Sequence, residues 1–131
     1  MLKWSDNFSV HHPELDKQHK VLISIVDDLT KAIDDNNSRE STVLDIAIRL
    51  DEYIQEHFRY EEALMKQYSY PDKEIHISQH ELINDKITGF NIYEVGKPME
   101  FYEDALVFCA EWLLYHIMHS DRRLGLYLNQ Y

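Results

Sequence analysis

Four apolar stripes constrain the fold of this chain more than any other feature. Apolar residues recur at alternating steps of three and four, the period that places them on one face of an α-helix. With only three glycines and three prolines in 131 residues, long helices are favoured over hairpins. Four such helices bury their stripes best as an antiparallel up-down-up-down bundle, so we predict an all-α four-helix fold. The stripes run from Leu15 to Ile33, Val43 to Tyr68, His76 to Phe90 and Tyr102 to His116.

Polar runs and prolines separate the stripes. Pro13 precedes the first, which ends in the run 34–37, and Pro71 divides the second from the third. Gly96 and Pro98 come before the fourth. These residues suit helix starts and stops, so each stripe is predicted to form one helix.

The two ends of the chain are expected to pack on the bundle. Residues 1–12 are predicted to form an arm across the helices. The tail 122–131 carries Leu124, Leu126 and Leu128, which indicates a short terminal helix or an extended cap. The whole chain, 1–131, is interpreted as a single domain.

The charge of the chain argues against two classes of partner, and its cysteine content argues against a disulfide. The chain has 13 Lys and Arg against 24 Asp and Glu, a net charge of −11, which disfavours nucleic acid and anionic lipid. Its one cysteine, Cys109, cannot form an intrachain disulfide and is expected to be an inert buried thiol. No stretch is apolar enough to be a signal peptide or to span a bilayer. We therefore expect a cytoplasmic protein, and separately we expect it to be a monomer.

Polar side chains occupy positions that the stripes mark as buried. Each buried imidazole without a partner costs roughly 1–3 kcal/mol, and a lone carboxylate costs more. Spacings of four residues put two pairs of them on common faces, one turn apart. A metal ion would satisfy several at once, so we predict a metal site. The buried polar residues are His19, His57, Glu61, His76, His80 and His116.

Asp121 is the seventh candidate ligand. It follows His116 by five residues, which turns an ideal helix about 140° past one revolution. Asp121 can therefore reach the same site only if the helix bends or ends, and we predict a break near His119 and Ser120.

Less specific interpretations compete for single residues. A lone core histidine such as His19 is more often hydrogen-bonded than metal-bound, whereas the two pairs favour metal. His11, His12 and His119 lie off the stripes and are expected to be solvated. Glu62 points about 100° away from Glu61 and is predicted to lie on the surface.

The motifs together resemble the hemerythrin family in its single-domain bacterial form. They cover nearly the whole chain and are highly specific in combination. They are Trp4 with Leu15-Asp16-Lys17-Gln18-His19-Lys20, then His57-Phe58-Arg59-Tyr60-Glu61-Glu62-Ala63-Leu64-Met65, then Tyr70-Pro71 with His76-Ile77-Ser78-Gln79-His80, and Trp112-Leu113-Leu114-Tyr115-His116-Ile117 with Asp121.

The resemblance implies a non-haem pair of iron ions and reversible binding of dioxygen. One iron would be held by three histidines and the other by two, with a solvent-derived oxo or hydroxo bridge. Storage of dioxygen, or its delivery to an oxygen-consuming partner protein, would be the role, with no side chain acting as acid or base and no enzyme activity. The implied ligands are His76, His80 and His116 for one iron, His19 and His57 for the other, and Glu61 and Asp121 as bridges.

Apolar walls are expected around the bound oxygen because water would promote oxidation of the iron. The candidates are Leu22, Phe58, Leu114 and Ile117, for each of which plain core packing is an equal alternative. Three other functions use the same site or none: an oxygen or redox sensor, a protein that handles peroxide or nitric oxide, and a bundle with adventitious zinc. Manganese would also suit this ligand type.

Overall fold

All regular elements in the described part of the chain are helical. A computed structural model describes residues 2–35, 40–90 and 99–130. The helices confirm the four predicted ones, while Asn36, Asn37, Gly96 and Pro98 lie outside the described residues. They are α1 (Pro13–Asp34), α2 (Glu40–Gln67), α3 (Lys73–Phe90), α4 (Met99–His116) and α5 (Arg122–Leu128), with a 3₁₀ turn at Asp6–Phe8 and a π-helical turn at Ile117–Asp121, called the π turn below.

The first four helices form the bundle. Each contacts the next one along the chain, and α1 also contacts α4, which closes the ring. Because the connections are short, neighbouring helices run in opposite directions. Among the described residues, no helix combines the length and apolar character needed to cross a membrane.

The core consists of two apolar clusters separated by the buried polar residues. The larger cluster contains Leu22 and Phe58, and the smaller one contains Leu15 and Leu64. Along α1, His19 falls between Leu15 of the smaller cluster and Leu22 of the larger one. Along the antiparallel α2 the order is reversed, with the larger cluster before the polar residues and the smaller one after them. The polar layer therefore crosses the bundle where four helices meet.

The arm and α5 cover the end of the bundle beside the smaller cluster. Val10 is fully buried within the smaller cluster. The start of the arm instead packs on the larger cluster, where the backbone N–H of Leu2 donates to Asp27 at 2.9 Å. A Cβ on Gly125 would lie 1.9 Å from the carbonyl oxygen of Val10, so only glycine allows α5 to pack this closely. Leu126 is 54% exposed and does not belong to the core. The predicted arm and short terminal helix are confirmed.

Two local features set where α1 and α3 begin. His12, predicted to be solvated, is half-buried, and its Nδ1 accepts a hydrogen bond from the Leu15 N–H at 3.2 Å, which caps α1. After α2, Ser69 adopts φ 52°, and the Tyr70 N–H donates to the Met65 carbonyl at 2.9 Å. This pattern is a Schellman motif, and it turns the chain so that α3 runs back along α2.

Candidate metal centre

Seven polar side chains from α1 to α4 and the π turn meet in the layer between the two clusters. Each of them is between 0% and 3% exposed. Their ligand atoms fall into two overlapping groups, and within each group every atom lies within 4.8 Å of the others. The first group contains Glu61, His76, His80, His116 and Asp121. The second contains His19, His57, Glu61 and Asp121.

The imidazole Nε2 atoms converge on the carboxylates and on one another. His19 Nε2 lies 3.1 Å from His57 Nε2 and 2.9 Å from Asp121 Oδ2. On the other side, His80 Nε2 lies 3.1 Å from His116 Nε2 and 3.1 Å from an oxygen of Glu61. Glu61 and Asp121 are thus the two residues that the groups share.

The π turn brings Asp121 into the layer. In a π-helical turn the hydrogen bonds close from residue i to i+5, so Asp121 lies one turn beyond His116 instead of pointing about 140° away. At the predicted position, near His119 and Ser120, the regular α-helix gives way to the π turn, and the chain then continues into α5. The Ser120 hydroxyl donates to Gln79 Oε1 at 2.6 Å, which fixes the turn against α3.

Hydrogen bonds on the outer nitrogens define two of the tautomers. His57 Nδ1 lies 2.7 Å from Gln18 Oε1, and Gln18 Nε2 donates to Glu14 at 3.1 Å. A carboxylate only accepts, so the Gln18 NH₂ faces Glu14 and its oxygen faces His57, whose Nδ1 must carry the proton. His80 Nδ1 likewise lies 3.3 Å from Glu62 Oε2. In both rings Nε2 then carries a lone pair that points into the layer.

Without metal, the environment keeps His80 and Asp121 in the form that binds a cation, but it favours a proton on Glu61. Burial, with the charges of His116 and His76, lowers the pKa of His80 to about 2. Burial and the neighbouring Asp121 raise the pKa of Glu61 well above its ordinary value. Burial alone would raise the pKa of Asp121, but the charge and hydrogen bond of His116 and the hydrogen bonds of His19 and His57 lower it well below its ordinary value.

The donor set fits a cation. Among the described residues, His19 Nδ1 and Glu61 Oε2 are buried side-chain atoms without a hydrogen-bond partner, and each such atom costs about 1–3 kcal/mol. The Nε2 atoms of His80 and His116 also lie only 3.1 Å apart. A metal ion would bind several such atoms at once, and nitrogen and oxygen donors of this kind suit iron, zinc or manganese.

Aromatic rings form the wall behind two of the histidines. Phe58 stacks on His80, with ring centroids 3.7 Å apart and planes at 4°. Trp112 stacks on His116 at 4.6 Å and 11°; its position on a stripe predicted core packing but not this contact. A small cleft of about 140 Å³, lined by Gln79, Trp112 and Tyr115, reaches His116 from the surface.

The four predicted wall residues differ in position. Leu22, Phe58 and Ile117 are 0–2% exposed. Leu114 is half-buried and lines a groove of about 250 Å³ between α1 and α4 that none of the seven polar residues touches. The role of all four around dioxygen stays a prediction.

The sequence did not predict two side-chain contacts of the site histidines, one made by Glu62 and one by Gln18. Glu62 reaches the surface as expected, with 37% of its side chain exposed, but it also pairs with His80. Gln18 lies beside His19 in the sequence and instead contacts His57 on the next helix. A glutamine or glutamate adjacent to a candidate ligand is the signal that could have suggested both.

Comparison with known proteins identifies the family. The model of the hemerythrin HHE cation-binding domain matches residues 11–127. The chain belongs to the hemerythrin family. Similar hemerythrins include a bacteriohemerythrin of Clostridium acetobutylicum, 26% identical over 93% of this chain and 97% of that protein. A myohemerythrin of Theromyzon tessulatum is 29% identical over 91% of this chain and 87% of that protein. A bacteriohemerythrin of Stenotrophomonas maltophilia is 23% identical over 100% of this chain and 86% of that protein.

The predicted family and all-α bundle are thereby confirmed. The hemerythrin match and the buried cluster of histidines and carboxylates together indicate a metal site.

Proposed function

We propose that this chain is a di-iron protein that binds dioxygen reversibly, for storage or for delivery to a partner. The observation that carries the proposal is the pair of overlapping ligand groups that share Glu61 and Asp121. One ion would be held by His76, His80 and His116, the other by His19 and His57, and the two shared carboxylates would bridge them.

The composition of the ligand set supports a carrier over an oxidase. Ferritin-like di-iron proteins use mostly glutamates, whose negative charge favours highly oxidised iron. Here five imidazoles accompany two carboxylates, and the low pKa of His80, about 2, keeps that ring uncharged. This less anionic set favours the ferrous state, in which an iron pair supplies the electrons for reversible binding of dioxygen.

The two halves of the site differ in the number of protein donors. The group with His19 and His57 has one histidine fewer than the other, which leaves room for an exogenous ligand in that half. Leu22, one turn after His19, is fully buried and would form an apolar wall there. Phe58 and Ile117 would exclude water from the layer. Leu114 would contribute only if the groove that it lines leads toward the site.

Iron content and the visible spectrum test the proposal. The chain is purified without oxygen, iron per chain is counted, and the spectrum is recorded before air, after air and again under argon. We expect two irons per chain and a charge-transfer band that appears with air and disappears under argon. His57→Ala should abolish the band, while His119→Ala, an exposed histidine off the layer, should retain it.

Three results would overturn the proposal. Zinc in place of iron would identify the site as a different metal centre. Irreversible bleaching on first exposure to air would exclude a carrier. Sustained turnover of hydrogen peroxide or nitric oxide that is lost in His57→Ala would make the chain an enzyme.

A further inference from the structure

The outer partners of two site histidines carry different charges. On the side with three histidines, His80 Nδ1 faces the carboxylate of Glu62 at 3.3 Å. On the side with two, His57 Nδ1 faces the neutral amide of Gln18 at 2.7 Å. Gln18 is itself held by Glu14 at 3.1 Å, so a carboxylate is present on this side too, but one side chain further out.

These partners act on the metal through the rings that they contact. A hydrogen bond to the outer nitrogen fixes the tautomer and orientation of a ligating imidazole and raises its basicity. At equal distance a carboxylate acceptor does so more strongly than an amide, because its hydrogen bond is charge-assisted; here the full charge of Glu62 acts over 3.3 Å and the neutral amide of Gln18 over 2.7 Å. His80 should therefore be the stronger donor and His57 the weaker one.

We propose that Glu62 and Gln18 are positioning residues that make the two metal positions unequal: Glu62 strengthens the three-histidine position through His80, and Gln18, oriented by Glu14, leaves the two-histidine position weaker through His57. This inference rests on the proposed dinuclear site. It predicts stepwise loading, in which the three-histidine position fills first and the two-histidine position is the first to lose its ion.

Zinc is the probe for the test, since it is redox-inert and diamagnetic. Two stepwise dissociation constants are measured by competition with a chromophoric chelator. In the zinc-loaded protein, NMR detects the Nδ1–H protons of His57 and His80, which exchange slowly only if they are hydrogen-bonded. The second readout reports the tautomers directly and does not depend on oxygen binding.

The Glu62 variants separate charge from geometry. Glu62→Ala should weaken the tighter zinc step about 10–100-fold and abolish the slowly exchanging His80 proton. Glu62→Gln keeps an acceptor, so it should restore that proton and recover part of the affinity. Glu52→Gln, an exposed carboxylate on the same helix, is the matched control and should change neither.

A double exchange tests the other half at constant net charge. In the variant Glu14→Gln/Gln18→Glu the carboxylate moves to the inner position, where it accepts from His57 directly. The weaker zinc step should tighten, bringing the two constants closer together, and the His57 proton should persist. Gln18→Leu should loosen that step and remove the proton.

The outcomes distinguish the two proposals. If the wild type binds two zinc ions but Glu62→Gln and the double exchange leave both constants within about twofold of the Glu52→Gln control, the inequality does not come from these residues. If the His57 and His80 protons are absent in the wild type, the assigned tautomers are wrong. If the wild type binds fewer than two ions, the dinuclear site itself fails, and this inference with it.

Discussion

Replacing Glu61 with glutamine should stabilise the metal-free chain and destabilise the metal-loaded one. The Glu61 side chain is fully buried, and burial together with Asp121 raises the pKa of its carboxyl well above the ordinary value. At neutral pH the metal-free fold must therefore take up a proton or bury an ill-matched charge. Glutamine has nearly the same shape and resembles the protonated form, so the penalty disappears.

The size of the effect follows from one unsatisfied buried group. Glu61 Oε2 has no hydrogen-bond partner, and such a group costs about 1–3 kcal/mol. For a chain of this length that corresponds to a rise in Tm of roughly 3–10 °C. Metal at a thousand times its Kd stabilises the wild type by about 4.1 kcal/mol. The variant lacks a bridging carboxylate and should lose most of that gain, so the order of the two melting temperatures should reverse.

The pH dependence has a defined sign. Because the folded pKa of Glu61 is raised, its contribution to stability is fully present below the unfolded value of 4.5 and is lost as the pH rises. The advantage of Glu61→Gln without metal should therefore be small near that value and grow toward neutral pH. Thermal unfolding followed by circular dichroism, with chelator or with zinc, measures both trends. A metal-free variant that melts at or below the wild type at neutral pH would refute the reasoning.

Three further predictions concern the fold around the site. Gly125→Ala places a Cβ 1.9 Å from the Val10 carbonyl and should lower the free energy of unfolding in urea by about 1–3 kcal/mol; Leu126→Ala, at a 54% exposed neighbour, should change it far less. Burial raises the pKa of the Cys109 thiol to about 11, so a thiol reagent should react only after unfolding, and rapid labelling of the native protein would contradict this. Phe58→Ala removes a ring that is 2% exposed and should cost about 3–5 kcal/mol in the same urea assay; a smaller loss would mean that the cavity collapses.

The bundle and the burial of the polar layer could be read from the sequence because they depend on a local period. A helix repeats every 3.6 residues wherever it lies, so a spacing of four puts two side chains on one face. His57 Nε2 and Glu61 Oε1 accordingly lie 3.5 Å apart. Both site pairs and His116 occupy the face that the spacing predicted, and their roles as ligands stay a prediction.

The outer partners could not be read in this way because they depend on which helix lies opposite. Glu62 points away from Glu61 along α2, and only the position of α3 lets its long side chain reach His80. Gln18 is next to His19 in sequence but contacts His57 across the α1–α2 interface. Sequence spacing defines a direction around one helix, whereas these contacts require the packing of two.

The π turn links the arm to the site. A widened turn is a less favourable backbone arrangement that persists where the surroundings hold it, often at functional sites. Here the 3₁₀ turn of the arm packs against it, Arg122 donates to the Asn7 carbonyl, and Ser120 is bonded to Gln79. If the turn relaxed to an α-helix, Asp121 would leave the layer and both ligand groups would lose a carboxylate. The contacts of Arg122 with Asn7 and of Ser120 with Gln79 therefore help to hold Asp121 in the layer, although none of these four residues is a candidate ligand.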